Sequence, residues 1–418
     1  MPKYPNKWCV VRPAKWPAPP KEMSVSLLHE IEECPYKWAL QRADYPAVWA
    51  GRGYPNRIHV AGVIGTIIHL SVERIVGELV KAGCVSMNDM HAVTVMRSLG
   101  GYTAVIQSYI EQELESYKFN PRIEVNLDQI RSSLLTSISD IRSKVQLLLG
   151  RMTLYGMKLP MPKHPVVPSS KERRPLSYGV HPEVEIYAPD LHWRGRADLI
   201  IFTESLCELV DFKTGEYNKW HEFQMRLYAL LWNRDSVLNP TTRPIDKLTL
   251  SYLHEDIDVS IPTGNSLEAF EREVKDRTKE CTSSLSIIPP RPRPNIGVCS
   301  YCDTRHLCEI YWDINNRYVA TSEKLSSDFT DVEVTLEEQH GLLSWNVTIE
   351  ASPYLSPGSS ALLRIPANHY LTKLAKQRKR IRILCTGVYT DSIEEPNSII
   401  VTLNKNSEVY FMEDNIDS

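Results

Sequence analysis

Between Gly195 and Tyr228 the chain reads GRADLIIFTESLCELVDFKTGEYNKWHEFQMRLY, and this stretch leaves little freedom in what can surround it. Arg194 to Phe202 alternates and then runs apolar, the pattern of a partly buried strand. Thr203, Glu204 and Ser205 make a polar turn, and Leu206 to Lys213 reads as a second strand. Thr214 and Gly215 break it, before a helix from about Trp220 to Trp232. Side chains alternate across a strand, so Asp211 and Lys213 share one face and Phe212 points to the other. Asp198 falls near the middle of the preceding strand. Gln224 and Tyr228 are four residues apart and share a helix face. Two strands and a helix thus carry two carboxylates, a lysine and a glutamine–tyrosine pair.

That set suits metal-assisted hydrolysis of a phosphodiester. Carboxylates on neighbouring strands can hold a hard divalent cation. The cation polarises the phosphate and lowers the pKa of water, and a lysine beside it can orient that water or stabilise developing charge. An Asp-x-Lys alone is also found on solvated hairpins with a surface ion pair. The ordered series Gly-x-x-Asp, Asp-x-Lys, Gln-x-x-x-Tyr on strand, strand and helix is far more specific.

These residues, with Gly65-Thr66-Ile67-Ile68-His69 upstream and four cysteines downstream and upstream, resemble the RecB-like branch of the PD-(D/E)XK nucleases. The resemblance is closest to the CRISPR-associated and AddB-type exonucleases that carry an iron-sulfur cluster. It spans roughly residues 20–315, although Asn88 to Pro175 matches no segment of the family. It implies an α/β fold, a PD-(D/E)XK core with a mixed central sheet, holding manganese or magnesium. His69, Asp198, Asp211 and the Phe212 carbonyl are the implied metal ligands. Lys213 is implied to assist the attacking water, with Gln224 and Tyr228 positioning the lysine and the substrate backbone. Imidazole is a borderline ligand, so such a site should accept manganese well.

Nine cysteines without an export signal point to a reducing cytoplasm, where clustered thiols hold metal rather than pair. Cys299, Cys302 and Cys308 form a C-x₂-C-x₅-C triplet, one ligand short of a closed site. Cys34 matches the family's isolated upstream cysteine, and three local cysteines plus a distant one favour [4Fe–4S] over zinc. His306 is the rival fourth ligand. A formal charge of −3 gives no global signal for nucleic acid, though a local basic groove can still bind DNA. There is no run of eighteen apolar residues and no signal-peptide core, so neither membrane nor export is expected.

In chain order, residues 1–22 read as an extended proline-rich arm. A helix follows in which Leu27, Leu28, Ile31, Cys34 and Trp38 recur at helical spacing. Residues 61–83 form a second helix with an Ile64, Ile67, Ile68, Ile75 and Leu79 stripe, leaving His69 on another face. Residues 86–157 are a helical insertion. Residues 158–175 are a basic loop in which Lys163, Lys171, Arg173 and Arg174 either contact phosphates or are plain surface. Val180 to Tyr187 starts the sheet, and either Glu183 or Glu185 could reach the metal. Strands at Lys247–Leu253 and Ile257–Ile261 and a helix at Leu267–Lys279 complete a nuclease domain over 23–315. After a 316–330 linker, short strands over 331–418 suggest a small OB-like or SH3-like barrel. Its basic run, Lys373 to Arg382, could track a nucleic-acid backbone.

The expected activity is a cytoplasmic, metal-dependent deoxyribonuclease acting on single-stranded DNA or DNA ends, alone or beside a helicase, integrase or other protein partner. The alternative is a DNA-binding scaffold subunit of a repair, CRISPR-adaptation or phage-defence complex.

Overall fold

A computed structural model describes residues 8–123, 126–154, 173–313, 330–367, 379–391, 398–404 and 406–412. The elements begin with β1 (Cys9–Val10), α1 (Val25–Glu33), α2 (Pro35–Arg42), α3 (Pro46–Trp49) and α4 (Val60–Lys81). Next come α5 (Met90–Ser98), α6 (Gly101–Tyr117), α7 (Leu127–Thr136) and α8 (Ile138–Arg151). The first sheet is β2 (Gly179–Ala188), β3 (Trp193–Phe202), β4 (Cys207–Lys213), β5 (Lys247–Tyr252) and β6 (Asp256–Asp258), with α9 (Lys219–Arg234) between β4 and β5. Then follow α10 (Gly264–Ser284), α11 (Ile296–Cys299) and α12 (Glu309–Trp312). The second sheet is β7 (Thr330–Gly341), β8 (Ser344–Ala351), β9 (Ser360–Arg364), β10 (Arg380–Asp391), β11 (Ser398–Thr402) and β12 (Glu408–Met412).

The chain forms two compact units that interleave in sequence. One comprises Pro19–His29 and Ile58–Ser283, the other Met1–Ala18, Glu30–Arg57 and Ser284–Ser418. The first contains a five-stranded sheet in sequential order, β2 to β6. Only β4 and β5 run parallel, because the α9 crossover between them returns the chain to the same end. The sheet is therefore mixed, as expected. The last strand is shorter than its sequence pattern, since it pairs with β5 only from Thr249 to Ser251.

One face of this sheet packs on helices. Leu199, Ile201, Val210 and Phe212 share a core with Ile67, Ile68 and Ile75 of α4 and with the buried stripes of α6, α7 and α8. Among the described residues the expected insertion is four helices, and its long 127–148 stripe is divided at Ser137, whose amide and hydroxyl both turn back on the Ser133 carbonyl. By length and composition α4 would also pass as a membrane span, but Val63, Ile67, Ile68, Val72, Ile75 and Leu79 are buried in this core. On α9, seven residues between Met225 and Trp232 other than Arg226 are buried.

In the second unit, β7, β8, β9, β11 and β10 follow one another and β10 closes back on β7, giving a closed five-stranded barrel. β9 and β11 are its parallel pair. A further strand, β12, extends β10, and β1 extends β12. The described end of the basic run, Arg380 to Arg382, opens β10 of this barrel. Arg382 is buried opposite Glu333 on β7, donating from Nε to Oε2 at 2.7 Å, and it also pairs with Glu309 at 2.9 Å. Arg380 pairs with the same Glu333, while Lys373, Lys376 and Arg378 lie outside the described residues. Arg305 and Asp331 form a second buried pair at 2.5 Å.

Breaking a buried pair by removing one member leaves an uncompensated charge. Arg382→Ala is expected to destabilise the chain by about 3–5 kcal/mol in urea melts. The double change Arg382→Met with Glu333→Leu should recover most of that loss. Equal destabilisation by the single and double variants would show that packing, not charge, governs this position.

Candidate active site

The Gly195-x-x-Asp198 turn of phrase in the sequence has a steric basis. A Cβ at Gly195 would lie 2.7 Å and 2.8 Å from ring atoms of Tyr228 and 3.0 Å from Leu231. Glycine on β3 thus lets α9 lie flat on the strand. Tyr228, buried there, accepts the Arg196 amide at its hydroxyl oxygen. At the other end of α9, Asn218 caps the helix by accepting the Trp220 amide at 2.9 Å.

Next to Gly195 the strands come apart. The β3–β4 ladder runs from Phe202 paired with Cys207 to Leu199 paired with Val210, and stops there. Beyond it the Phe212 amide donates to Asp198 Oδ2 at 2.7 Å, so a side chain supplies the acceptor that the neighbouring backbone no longer offers. Asp198 Oδ2 also lies 3.3 Å from His69 Nδ1 on α4. Burial opposes the imidazolium of His69, but the bond to Asp198 and the charge of Asp211 outweigh it and raise the pKa.

On the adjoining strand Lys213 Nζ lies 2.5 Å from Asp211 Oδ2 and donates to Gln224 Oε1 at 2.9 Å. The amide of Gln224 donates to Asp211 Oδ1 at 3.2 Å and to Tyr228 at 2.8 Å. Asp211 is buried, and its Oδ2 has only the ammonium beside it, with no well-directed hydrogen bond. Burial, then the charge of Asp198, raise its carboxyl to about 6 against the pull of Lys213.

His69, Asp198, Asp211, Phe212, Lys213, Gln224 and Tyr228 are therefore brought to one place. Of the two carboxylates the strand pattern left equal, Glu183 joins them and Glu185 is exposed. A positive φ of 54° at Glu183 interrupts the alternation that would have put both on one face. Burial, then Asp198, push the Glu183 carboxyl up to about 7, with Glu73 adding to the rise and Arg196 opposing it. Glu73 lies one helical turn beyond His69 on α4, a spacing present in the sequence. Among the described residues no three His, Cys, Asp or Glu side chains stand in position to hold a metal as they are. His69 and Asp198 face each other and Asp211 faces Lys213 instead.

His221 is three residues before Gln224 and seven before Tyr228, on the same helix face, a signal present in the sequence. Its Nδ1 is 2.6 Å from the hydroxyl of Tyr252. Tyr252 ends β5 in register with Lys213, which no local spacing reveals.

In the other unit Cys34, Cys299, Cys302 and Cys308 line a single pocket with Leu40, Pro292, Pro294, Val298 and Ile310. Backbone amides are aimed at the sulfurs: Lys37 and Arg293 donate to Cys34 at 3.4 and 3.5 Å, and Asn295 donates to Cys299 at 3.4 Å. Burial raises the Cys299 and Cys302 thiols, and it carries Cys308 to about 12, with Cys302, Cys34 and Cys299 adding to that rise. The rival ligand, His306, is fully buried, stacks on Tyr410 at 3.8 Å and meets the Tyr54 hydroxyl at 2.6 Å through Nε2. Of the 158–175 loop's basic residues, Arg173 and Arg174 are among the described residues and both are exposed. Arg173 pairs with the buried Asp235, while Lys163 and Lys171 lie outside the described residues.

A sequence profile of the PD-(D/E)XK nuclease superfamily matches residues 22–309, and the chain belongs to that superfamily. No curated protein matches. Among solved structures, one titled "Crystal structure of SSO0001" is similar at 16% identity, with a TM-score of 0.23, over 48% of this chain and 82% of that one. A likeness that low bears on neither fold nor function.

The Gly195 contact predicts a coupled pair. Gly195→Ala forces Tyr228 aside and should cost about 1–3 kcal/mol, the usual range for overpacking. In a Tyr228→Ala background the same change should cost little. Additive losses in a double-mutant cycle of thermal melts would show that the clash is absorbed elsewhere.

Proposed function

We propose that this chain is a metal-dependent deoxyribonuclease of the RecB-like branch, hydrolysing single-stranded DNA or DNA ends. The observation that carries the reading is the unbroken chain Tyr228–Gln224–Lys213–Asp211 set against Asp198 and His69. Its members are the residues that a phosphodiester hydrolase needs, on rigid strands and a helix rather than on loops. Placement in the RecB-like branch rests on three features: a helical histidine ahead of the sheet, the Gln224–Tyr228 pair, and the cysteine pattern.

His69, Asp198, Asp211 and the Phe212 carbonyl would hold a manganese or magnesium ion. The buried Asp211 Oδ2, with no hydrogen bond of its own, fits that role. Such an ion supplies Lewis-acid stabilisation of charge on the scissile phosphate. Lys213 is held by its hydrogen bond to Gln224 and by the charge of Asp211, which restricts the position of the ammonium. Its free N–H bonds orient the attacking water toward phosphorus. Gln224, fixed by Tyr228, keeps the ammonium in place as the P–O ester bond breaks and one water is consumed. The carboxylates must be ionised to bind a cation, and the raised pKa of Asp211 reflects how unfavourable that charge is in its buried place beside Asp198.

The four-thiol pocket supports a [4Fe–4S] cluster on Cys34, Cys299, Cys302 and Cys308. Amides directed at sulfur stabilise thiolates, and His306 is engaged elsewhere. In this reading the cluster ties the 30–57 segment to the 284–313 segment within their unit. Its place is structural, not chemical. The barrel's strand order, with β9 parallel to β11, supports the OB-like over the SH3-like reading of its type. DNA is the partner, with a helicase, integrase or other protein as further candidates. The scaffold alternative draws on the absence, among the described residues, of a ready-made three-ligand metal group.

The test is digestion of end-labelled and circular single-stranded DNA by anaerobically purified protein with manganese and with EDTA. Manganese-dependent cleavage is expected, and Lys213→Ala should lower kcat by about 10²–10³-fold, the usual effect of losing one electrostatic donor. DNA binding without cleavage by the wild type would favour the scaffold reading.

The cluster assignment makes a separate prediction. Cys34→Ala should lose iron and acid-labile sulfide and lower the melting temperature, because ligand binding and folding are coupled. Cleavage per folded molecule should persist. A Cys34→Ala protein with a full iron complement would remove Cys34 from the ligand set.

A further inference from the structure

The site contains a donor that the reading above does not use. His221 sits on the face of α9 that carries Gln224 and Tyr228, close enough for the charge of Lys213 to bear on it. Its Nδ1 lies 2.6 Å from the hydroxyl of Tyr252, a buried residue paired in register with Lys213 across β4 and β5. Residues in register on neighbouring strands point to the same side of a sheet. Tyr252 and Lys213 therefore project to the α9 side together.

The proton arrangement follows from the donors. The Tyr252 oxygen accepts the backbone amide of Asn218, and His221 Nδ1 is the acceptor within reach of its own proton. The hydroxyl thus donates to Nδ1, which fixes the tautomer that carries hydrogen on Nε2. Burial, and then the Lys213 charge, push the imidazole down to about 4, so it is neutral wherever the carboxylates are ionised. Nε2 has no protein acceptor among the described residues, and the ring is half-buried. The result is an uncharged N–H donor held in one tautomer, on the helix face that carries Gln224, the lysine's own partner.

We infer that His221, held in one tautomer by Tyr252, is a phosphate-binding residue that donates from Nε2 to a non-bridging oxygen of the nucleic-acid backbone and so positions the strand. The inference rests on the nuclease reading and adds a substrate-contacting group to it. A neutral donor here has a physical advantage. It binds the phosphate oxygen without adding a second cation beside Lys213, which would weaken that lysine's pairing with Asp211.

The experiment is steady-state cleavage of a fluorescein-labelled single-stranded oligonucleotide with manganese, with melting temperatures recorded for every variant. His221→Ala should raise KM about tenfold, the loss expected for one hydrogen bond to a charged group, and leave kcat within about twofold. His221→Gln, which keeps an N–H donor, should recover most of the loss, and Tyr252→Phe, which frees the tautomer, should give an intermediate KM. The slope of log KM against log salt should not change, because a neutral donor displaces no counterion. A wild-type KM in His221→Ala overturns the inference and leaves the nuclease reading intact. A uniform fall in kcat with no recovery by glutamine assigns His221 to structure and also overturns it. If His221→Ala does not fold, the His221→Gln and Tyr252→Phe comparison decides. A wild-type protein that neither binds nor cleaves the oligonucleotide removes the nuclease reading, and the inference goes with it.

Discussion

The site depends on a single substitution of side chain for backbone: Asp198 takes the hydrogen bond from the Phe212 amide. Sheets do not part without cost, because each separated strand leaves amides and carbonyls unpaired. Here β3 and β4 part just past Leu199 and Val210, and β2 skips its pairing at Glu183 opposite the same Asp198. The carboxylate of Asp198 pays part of that cost and in return faces His69 and Asp211. The notch in the sheet and the acidic character of the site are two aspects of one arrangement. It also explains why the Asp211 and Glu183 carboxyls are raised: both are buried beside the Asp198 charge, and the cations near them offset that only in part.

The site's helix is placed with comparable economy. Gly195 removes a side chain where Tyr228 must lie, and Tyr228 then anchors Gln224, which holds Lys213. A contact between strand and helix is in this way relayed to an ammonium on another strand. Nothing in the relay relies on an exposed ion pair, which would contribute little in water.

How much of this could be read from the chain follows from the range of each interaction. The two strands and α9 were legible because alternation and helical spacing are local, and their bounds move by only a residue or two. Gln224 and Tyr228 were legible for the same reason. Glu183 was not separable from Glu185, since a positive φ is not written in strand periodicity. Tyr252 was invisible as a neighbour of Lys213 because a parallel pair joins residues that a whole crossover separates. Arg382 read as part of a basic surface run, and its burial depends on Glu333, which a strand elsewhere in the barrel supplies. β12 was legible in principle, since Val409 to Met412 is apolar throughout, but it is only five residues long and pairs along the edge that β10 offers.

The interleaving of the two units bears on the order in which the chain can be completed. Residues 58–283 form one continuous stretch, so nearly all the partners of that unit leave the ribosome together. The 30–57 segment belongs with residues beyond 284 and must wait for more than two hundred residues to be made. Cys34 and Tyr54 spend that interval without Cys299, Cys302, Cys308 or His306, the groups they later face. A thiol and an aromatic surface left uncovered during synthesis are exposed to oxidation and to misassociation. In a nascent chain the thiol of Cys34 and the ring of Tyr54 therefore stay uncovered until the segment that begins at residue 284 has been made.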